Sequence, residues 1–211
     1  METETRLQLK ICGITKLEDA RYAVAAGATH LGFIQDPRSE RFIDVNKARE
    51  IIDWVYGAIP VGVFVDADVE TVTRSAATTG FKMVQLHGSE PPDYCEQLDV
   101  PVIKVISILP DTSREHLQNV VDSFSGVVDW MMFDTSRSSN ERKPFDWDLL
   151  KDLTFKKPFF LAGGITASNV EAALQNCNPN GIDVSSSLES SPGIKDFDRI
   201  DEFITKITDR L

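Results

Sequence analysis

The sequence predicts a (β/α)₈ barrel, in which eight parallel strands form a closed cylinder inside a ring of helices. Short apolar segments alternate with helical patterns along all 211 residues, giving eight strand–helix units. Strict alternation of this kind indicates a parallel sheet with helical crossovers. The strand segments, such as VGVFV and VIKVI, are nearly continuous hydrophobic runs, which is typical of strands buried on both faces. Eight units in a chain of this length favour a closed barrel, and an open doubly wound sheet is the structural alternative.

The first four units carry the clearest end signals. Gly27 ends the first helix and Gly80 ends the third, as glycine does at a helix C-terminus. Pro91 and Pro92 fit the start of the fourth helix, where the missing N–H costs nothing. The predicted pairs of strand and helix are Leu7–Ile11 with Leu17–Ala26, His30–Ile34 with Val45–Tyr56, Pro60–Val65 with Val69–Thr79, and Met83–Leu86 with Pro92–Leu98.

The last four units rest on apolar strand runs, each followed by a helical pattern. The predicted pairs are Val102–Ile106 with Ser113–Phe124, Trp130–Phe133 with Trp147–Leu153, Pro158–Leu161 with Ala167–Gln175, and Gly181–Val184 with Ile194–Leu211. No linker-like stretch separates any of the units. We therefore expect one barrel domain over residues 1–211, with residues 1–6 as a short N-terminal extension.

Composition and charge exclude several classes of protein. The formal net charge of -11 argues against a general nucleic-acid binder and against a protein of anionic membrane surfaces, because both need a basic patch. No apolar run approaches the roughly 20 residues of a membrane-spanning helix. The polar N-terminus carries no signal core, so we expect a cytoplasmic protein. The three cysteines, Cys12, Cys95 and Cys177, are too widely spaced for a disulfide framework or a zinc site.

Polar residues cluster where the predicted strands end, which is where a barrel of this type places its active site. Gly163-Gly164 after the seventh strand and Ser185-Ser186 after the eighth offer N–H and hydroxyl donors for a phosphate group. A short helix near 186–191 would direct its positive end at the same group. The alternative is that the glycines form only a tight turn. No metal-ligand spacing and no dinucleotide or Walker A motif occurs, so we expect a phosphorylated small-molecule substrate with no metal or cofactor.

Nine motifs at these strand ends resemble phosphoribosylanthranilate isomerase, and the resemblance covers residues 7–210. KICGIT in the first strand together with QLHG in the fourth is the most specific pair. The motifs are KICGIT (10–15), LGFI (31–34), SER (39–41), VGVFVD (61–66), VQLHG (84–88), FDT (133–135), FDW (145–147), LAGGI (161–165) and DVSSSLE–SPGIKD (183–196).

The resemblance implies an Amadori rearrangement of N-(5-phosphoribosyl)anthranilate to its ring-opened ketose, a step of tryptophan biosynthesis. It implies that Cys12 is the general base, that Asp134 is the general acid and that Arg41 holds the anthranilate. We expect His87 to contact the ligand or to orient its neighbours. We expect Asp183 to bind a substrate hydroxyl and to act as a carboxylate neighbour of Asp134.

The predicted geometry is compatible with this acid–base pair. The first and sixth strands are three positions apart on a ring of eight, so their ends face each other across a mouth roughly 15 Å wide. We expect Lys10 to point to the other face of its strand, away from Cys12. The alternative for Cys12 is a buried structural thiol, and for Asp134 a cap of the following segment. An acid role for Asp134 requires that burial or a carboxylate neighbour raises its pKa.

Two segments depart from the family pattern. The glycine-rich stretch that usually follows the strand-6 aspartate is replaced by the glycine-free loop 136–143. We expect Arg137, Arg142 and Lys143 of this loop to attract the anionic substrate, the alternative being a solvated loop. Ser187 stands where the family usually has glycine, and a positive φ there would cost on the order of 1 kcal/mol.

Other functions stay open at this point. A related barrel isomerase with another phosphorylated substrate is one alternative, and a non-catalytic phosphate-binding barrel is a second. Indole-glycerol-phosphate synthase relies on a strand-end lysine, for which Lys104 is the only interior candidate we expect. The sequence leaves the choice between a monomer and a homodimer open.

Overall fold

The structure is a computed structural model that describes residues 6–135 and 144–211. Eight parallel strands, β1 to β8, pair in chain order, and β8 pairs with β1 to close the barrel. The predicted closed barrel is therefore confirmed, and the open sheet is excluded. The strands are β1 (Gln8–Cys12), β2 (His30–Ile34), β3 (Ile59–Phe64), β4 (Met83–Leu86), β5 (Val102–Ile108), β6 (Trp130–Thr135), β7 (Phe159–Leu161) and β8 (Gly181–Val184).

Helices cover the outside of this sheet, and side-chain caps fix where several of them begin. Asp44, Asp68, Ser113 and Asp196 each accept a backbone N–H of the first turn that follows, which satisfies a donor that the helix itself leaves unpaired. The helices are α1 (Leu17–Ala25), α2 (Val45–Ile52), α3 (Val69–Thr79), α4 (Pro92–Cys95), α5 (Arg114–Phe124), α6 (Val170–Cys177) and α7 (Phe197–Thr205).

Several predicted helices differ from the structure: α2 ends at Ile52 and not at Tyr56, α4 ends at Cys95 and not at Leu98, and two others differ in type or in where they begin. The segment after β6 forms a 3₁₀ turn over Trp147–Leu150, because Asp146 caps it at Asp148 N–H and its bonds run from i to i+3. The predicted helix over Ile194–Leu211 does not begin at Ile194. A hairpin of β9 (Glu189–Ser191) and β10 (Ile194–Lys195) comes first, because the Pro-Gly turn at Gly193, with φ +77°, reverses the chain.

The core has two layers separated by the sheet. Side chains that point inwards, such as Val105, Met132 and Phe160, fill the barrel interior. The ring of His30 packs edge-on against the ring of Phe160. A packed barrel interior is not a pore, so chemistry in a barrel of this kind takes place at the carboxyl-end mouth.

Lys104 lies on the outer side of β5, since its neighbours Ile103 and Val105 both point inwards. Its Nζ is 2.7 Å from Glu90 Oε2 and 2.8 Å from the carbonyl oxygen of Gly88, under α5. The expectation that Lys104 is the interior lysine is therefore wrong. Among the described residues, none of the helices is long and apolar enough to cross a membrane.

Candidate active site

A cavity of about 920 Å³ opens at the carboxyl ends of the barrel strands. All nine residues predicted for the site line it, although they come from six strand ends and the loops that follow them. These residues are Cys12, Arg41, His87, Asp134, Gly163, Gly164, Asp183, Ser185 and Ser186. A second cavity of about 500 Å³, between β5 and α5, contains Lys104 but none of the nine.

Cys12 ends β1 and is 6% exposed, facing the cavity beside Gly32 of β2. A Cβ atom on Gly32 would lie 2.6 Å from Cys12 Sγ and 3.0 Å from Lys10 Nζ, so only glycine leaves room for both groups. The thiol and the ammonium group are therefore close neighbours on one face. The expectation that Lys10 points away is wrong, because residues two apart in a strand share a face.

Lys10 is completely buried, and its Nζ is 2.8 Å from Asp183 Oδ1 on the neighbouring strand β8. Burial disfavours the charged ammonium, but the Asp183 carboxylate and the Cys12 sulfur outweigh it and raise the pKa of Lys10. Burial also raises the pKa of Asp183, against the opposing charge of Lys10. Asp183 is thus the ion-pair partner of Lys10, which lies two residues before Cys12 on the same face of β1.

Burial raises the pKa of the Cys12 thiol above its ordinary value, while the Lys10 and Lys195 ammonium groups act in the opposite direction. The resting thiol is accordingly expected to ionise on the alkaline side of neutrality. Cys95 and Cys177 lie outside this cavity, and burial raises the pKa of each to about 11. Of the three cysteines, Cys12 lines this cavity and has two ammonium groups, those of Lys10 and Lys195, that favour its thiolate.

Arg41 is held by Glu189, a residue that the sequence analysis did not single out. Nη2 of Arg41 is 2.6 Å from Glu189 Oε2, and its Nε contacts both carboxylate oxygens at 2.9 and 3.0 Å. This pairing raises the pKa of Arg41. Nη1 makes no hydrogen bond to the described residues, and Arg41 lines the cavity, so one edge of the guanidinium is available to a ligand carboxylate.

Lys195 completes the network from β10. Its completely buried Nζ is 2.6 Å from the carbonyl oxygen of Cys12 and 3.0 Å from Glu189 Oε1. Burial lowers the pKa of Lys195 despite Glu189. Burial of Glu189 is outweighed by Arg41 and Lys195, which lower its pKa. The only signal in the sequence was the DVSSSLE–SPGIKD motif, which contains both residues.

Asp134 lies within β6, opposite Ser107 of β5 and one residue before the strand ends. His87 Nε2 is 3.4 Å from Asp134 Oδ2. Gln85 Nε2 is in turn 3.1 Å from His87 Nδ1, and the amide therefore influences which ring nitrogen carries the proton. The predicted orienting role of His87 has a geometric basis in these two contacts.

The residues predicted to bind a phosphate lie together at the cavity edge, and one neighbouring element differs from the prediction. Gly163 and Gly164 have φ of +81° and +69°, which brings their backbone to the cavity edge, and Ser185-Ser186 follow β8 beside them. A single 3₁₀ turn over Ser186–Leu188 replaces the predicted short helix, because the chain enters the hairpin at Glu189. Any helix-dipole contribution is therefore that of one turn.

Two expectations about the departures from the family pattern meet different outcomes. Ser187 does not have a positive φ, so the predicted backbone strain is wrong. Its Oγ is buried and has no hydrogen-bond partner among the described residues. The glycine-free loop 136–143, with Arg137, Arg142 and Lys143, lies outside the described residues. Arg38, which also lines the cavity, pairs with Asp36 through two nitrogens at 2.9 and 3.1 Å.

Comparisons with known proteins agree on one family. A model of the N-(5'phosphoribosyl)anthranilate (PRA) isomerase family matches residues 9–206. The N-(5'-phosphoribosyl)anthranilate isomerase of Nostoc punctiforme is 34% identical over 210 residues, which cover 97% of this chain and 100% of that protein.

Solved structures of the same family have the same fold. One shows monomers made from the dimeric phosphoribosylanthranilate isomerase of Thermotoga maritima, with a TM-score of 0.85, 33% identity and coverage of 96% of this chain and 99% of that one. Another is a phosphoribosylanthranilate isomerase in complex with reduced 1-(o-carboxyphenylamino)-1-deoxyribulose 5-phosphate, with a TM-score of 0.84, 32% identity and coverage of 96% and 99%. These matches favour this family over the other functions left open by the sequence.

Proposed function

The chain belongs to the N-(5'-phosphoribosyl)anthranilate isomerase family, and we propose that Cys12 and Asp134 carry out the two proton transfers of its reaction. The enzyme isomerises N-(5'-phosphoribosyl)anthranilate in tryptophan biosynthesis. One observation carries the assignment of residues. Cys12 and Asp134 lie at the carboxyl ends of strands three positions apart on the ring and line the same cavity, which is the arrangement that two proton transfers on one sugar require.

The first step opens the furanose ring. Asp134, protonated, donates its proton to the ring oxygen while the C1'–O bond breaks, and the nitrogen lone pair forms a C1'=N double bond, which gives a protonated imine. The proton donor must be a group that is neutral before the step and stable as an anion after it, which a carboxylic acid is. His87, 3.4 Å from Asp134 Oδ2, stabilises the carboxylate that results.

The second step moves a proton away from C2'. The Cys12 thiolate removes it, the electron pair forms the C1'–C2' double bond, and the imine nitrogen becomes an amine. The resulting enol rearranges to the ketone when C1' gains a proton and the C2' hydroxyl loses one. No electrons leave the substrate, so the predicted absence of a cofactor is compatible with this chemistry.

The remaining predicted residues bind the two anionic ends of the substrate. Backbone N–H groups at Gly163-Gly164 and Ser185-Ser186 are suited to the phosphate, because donors on a curved backbone converge on an anion. Nη1 of Arg41 is suited to the anthranilate carboxylate, since Glu189 already occupies the other edge of the guanidinium. Asp183 is 11% exposed at the cavity wall and is placed to accept a sugar hydroxyl.

The decisive experiment follows the loss of anthranilate fluorescence when substrate, generated in place from anthranilate and phosphoribosyl pyrophosphate, is isomerised. Cys12→Ala and Asp134→Asn are each expected to lower kcat about 10²- to 10⁴-fold, the usual contribution of a general acid or base. Cys177→Ala, a thiol outside the cavity, is the matched control and is expected to retain wild-type kcat. Wild-type turnover by folded Cys12→Ala or Asp134→Asn would overturn the assignment.

Assembly and location form a separate part of the proposal. A homodimer is one of the two states that the sequence left open, and a Thermotoga maritima relative is described as dimeric. Sedimentation equilibrium of the purified chain distinguishes the dimer from the monomer. A cytoplasmic location stays a prediction, and cell fractionation is its test.

A further inference from the structure

Lys10 is a charged side chain buried in the barrel interior, where an unpaired charge is unfavourable. Its ammonium group is completely buried inside the barrel, below the cavity floor, and it is not among the residues that line the cavity. A buried ammonium costs several kcal/mol unless it is paired and hydrogen-bonded. The interior elsewhere is filled by apolar side chains such as Val61 and Met132. A lysine at this position therefore needs an explanation that packing does not provide.

Two groups receive the ammonium. One is the carboxylate of Asp183, at 2.8 Å. The other is Cys12, whose sulfur and Lys10 Nζ both lie within 3.0 Å of the point where a Cβ atom of Gly32 would be. The positive charge of Lys10 this close to Cys12 favours the ionised sulfur. The glycine on β2 thus makes room for a contact between a cation and the proposed base.

The other charged groups around Cys12 come from several elements. Lys195 on β10 is directed to the carbonyl oxygen of Cys12 and to Glu189, so its hydrogen bonds do not reach the sulfur. Arg41 is held by Glu189, and Glu40 beside it is exposed.

The groups on the remaining elements do not compete for the sulfur. Asp19 on α1 accepts the backbone N–H of Lys195. Burial lowers the pKa of His30 on β2 to about 4, which leaves it uncharged at neutral pH. His87 follows β4 and Asp134 belongs to β6, on the other side of the ring.

We propose that Lys10 is a positioning residue for the reaction: its ammonium group, oriented by Asp183, donates to the sulfur of Cys12 and stabilises the thiolate that accepts the substrate proton. The inference rests on the proposed role of Cys12. Lys10 itself stays protonated and does not touch the substrate. Asp183 then has two roles: it orients Lys10 through their ion pair, and it faces the cavity.

The test is the pH dependence of the alkylation of Cys12 by iodoacetamide, measured by mass spectrometry of the Cys12 peptide so that Cys95 and Cys177 do not contribute. Lys10→Met keeps the length of the side chain and removes its charge. Its alkylation rate at neutral pH is expected to fall at least about tenfold, which corresponds to one pH unit in the ionisation of the thiol. The rise of kcat/KM with pH is expected to move to higher pH by the same amount.

Lys10→Met leaves the Asp183 carboxylate without its partner, which destabilises the folded chain. Lys10→Met/Asp183→Asn removes both charges and keeps the interior neutral, and circular dichroism verifies that it folds. Lys195→Met is the comparison cation, expected to shift the alkylation profile less because its hydrogen bonds go elsewhere. An alkylation profile like that of the wild type in folded Lys10→Met overturns the inference. Because Asp183 itself raises the pKa of Cys12, the double variant is compared with Asp183→Asn, and equal profiles of these two variants overturn the inference as well.

The outcome for Cys12→Ala separates this inference from the proposed function. If Cys12→Ala is inactive while Lys10→Met alkylates like the wild type, the role of Cys12 is supported and only the role of Lys10 is overturned. If Cys12→Ala keeps full activity, the proposed function fails first, and a role for Lys10 in the reaction fails with it. A shifted alkylation profile together with an inactive Cys12→Ala supports both.

Discussion

Gly163→Ala is expected to impair the proposed acid without altering any residue that carries a proton. Gly163 has φ +81°, and a Cβ atom there would lie 2.6 Å from Asp134 Oδ1 and 2.5 Å from the backbone nitrogen of Thr135. To restore an ordinary contact, Asp134 has to move by about 1 Å, a displacement that can cost on the order of 100-fold in rate. The positive φ adds roughly 1 kcal/mol of strain to the folded state.

Gly80→Ala is the matched control. Gly80 has φ +84° at the end of α3, but a Cβ atom there would have nothing within 4 Å. Both variants are therefore expected to lose about 1 kcal/mol or more in urea denaturation, whereas only Gly163→Ala loses kcat/KM in the fluorescence assay. Equal kcat/KM for the two variants would refute the steric reasoning, and with it the close fit of the strand-7 turn to Asp134.

Three further predictions concern charge. Because burial raises the pKa of Cys12, kcat/KM is expected to increase with pH above neutrality, and a flat profile up to about pH 9 contradicts this. Glu189→Gln removes the charge that holds Arg41, so KM should rise about tenfold with kcat less affected, and a larger change in kcat contradicts it. The pKa of His30 falls from 6.5 to about 4 on folding, so the unfolded chain binds the proton first as pH drops. The free energy of unfolding should therefore decrease by up to about 3 kcal/mol from pH 6.5 to 4, and His30→Gln should remove this slope in urea titrations; an unchanged slope refutes the assignment.

The strands could be predicted from the sequence because each is a run of residues buried on both faces. His30–Ile34, Met83–Leu86 and Gly181–Val184 are predicted to the residue for this reason. Strands β5 and β6 extend further, to Ile108 and Thr135, because pairing continues through polar residues at the cavity edge. The hydrophobic pattern ends at the polar residues of the cavity edge, so it underestimates the length of these two strands.

The charged network was less accessible to sequence reasoning. Lys10 with Asp183 and Arg41 with Glu189 are pairs of residues far apart in the chain, and nothing local marks any of the four as buried. Lys10 is an instructive error, since the alternation of side chains along a strand places residues i and i+2 on the same face. Applied correctly, the rule brings Lys10 beside Cys12 without any structure.

The two proposed proton-transfer residues differ in the charge of their surroundings more than in their intrinsic chemistry. Cys12 lies near a permanent cation, because the ion pair with Asp183 raises the pKa of Lys10 and keeps its ammonium group protonated at neutral pH. Asp134 contacts His87, and an imidazole ring can either donate or accept a hydrogen bond at Nε2.

The orientation of the Gln85 amide is coupled to which ring nitrogen of His87 carries the proton. If its amide donates to Nδ1, the histidine proton is on Nε2 and stabilises the Asp134 carboxylate. If the amide rotates, its oxygen accepts Nδ1–H and Nε2 becomes an acceptor for the protonated acid. The Oε1 atom of Gln85 is buried and has no partner among the described residues in the first orientation, so both states are open to it. Cys12, the proposed base, thus lies beside a fixed cation, whereas Asp134, the proposed acid, lies beside a histidine that can bind either its protonated or its ionised form. This difference in environment is how two titratable groups in one site come to act as base and acid.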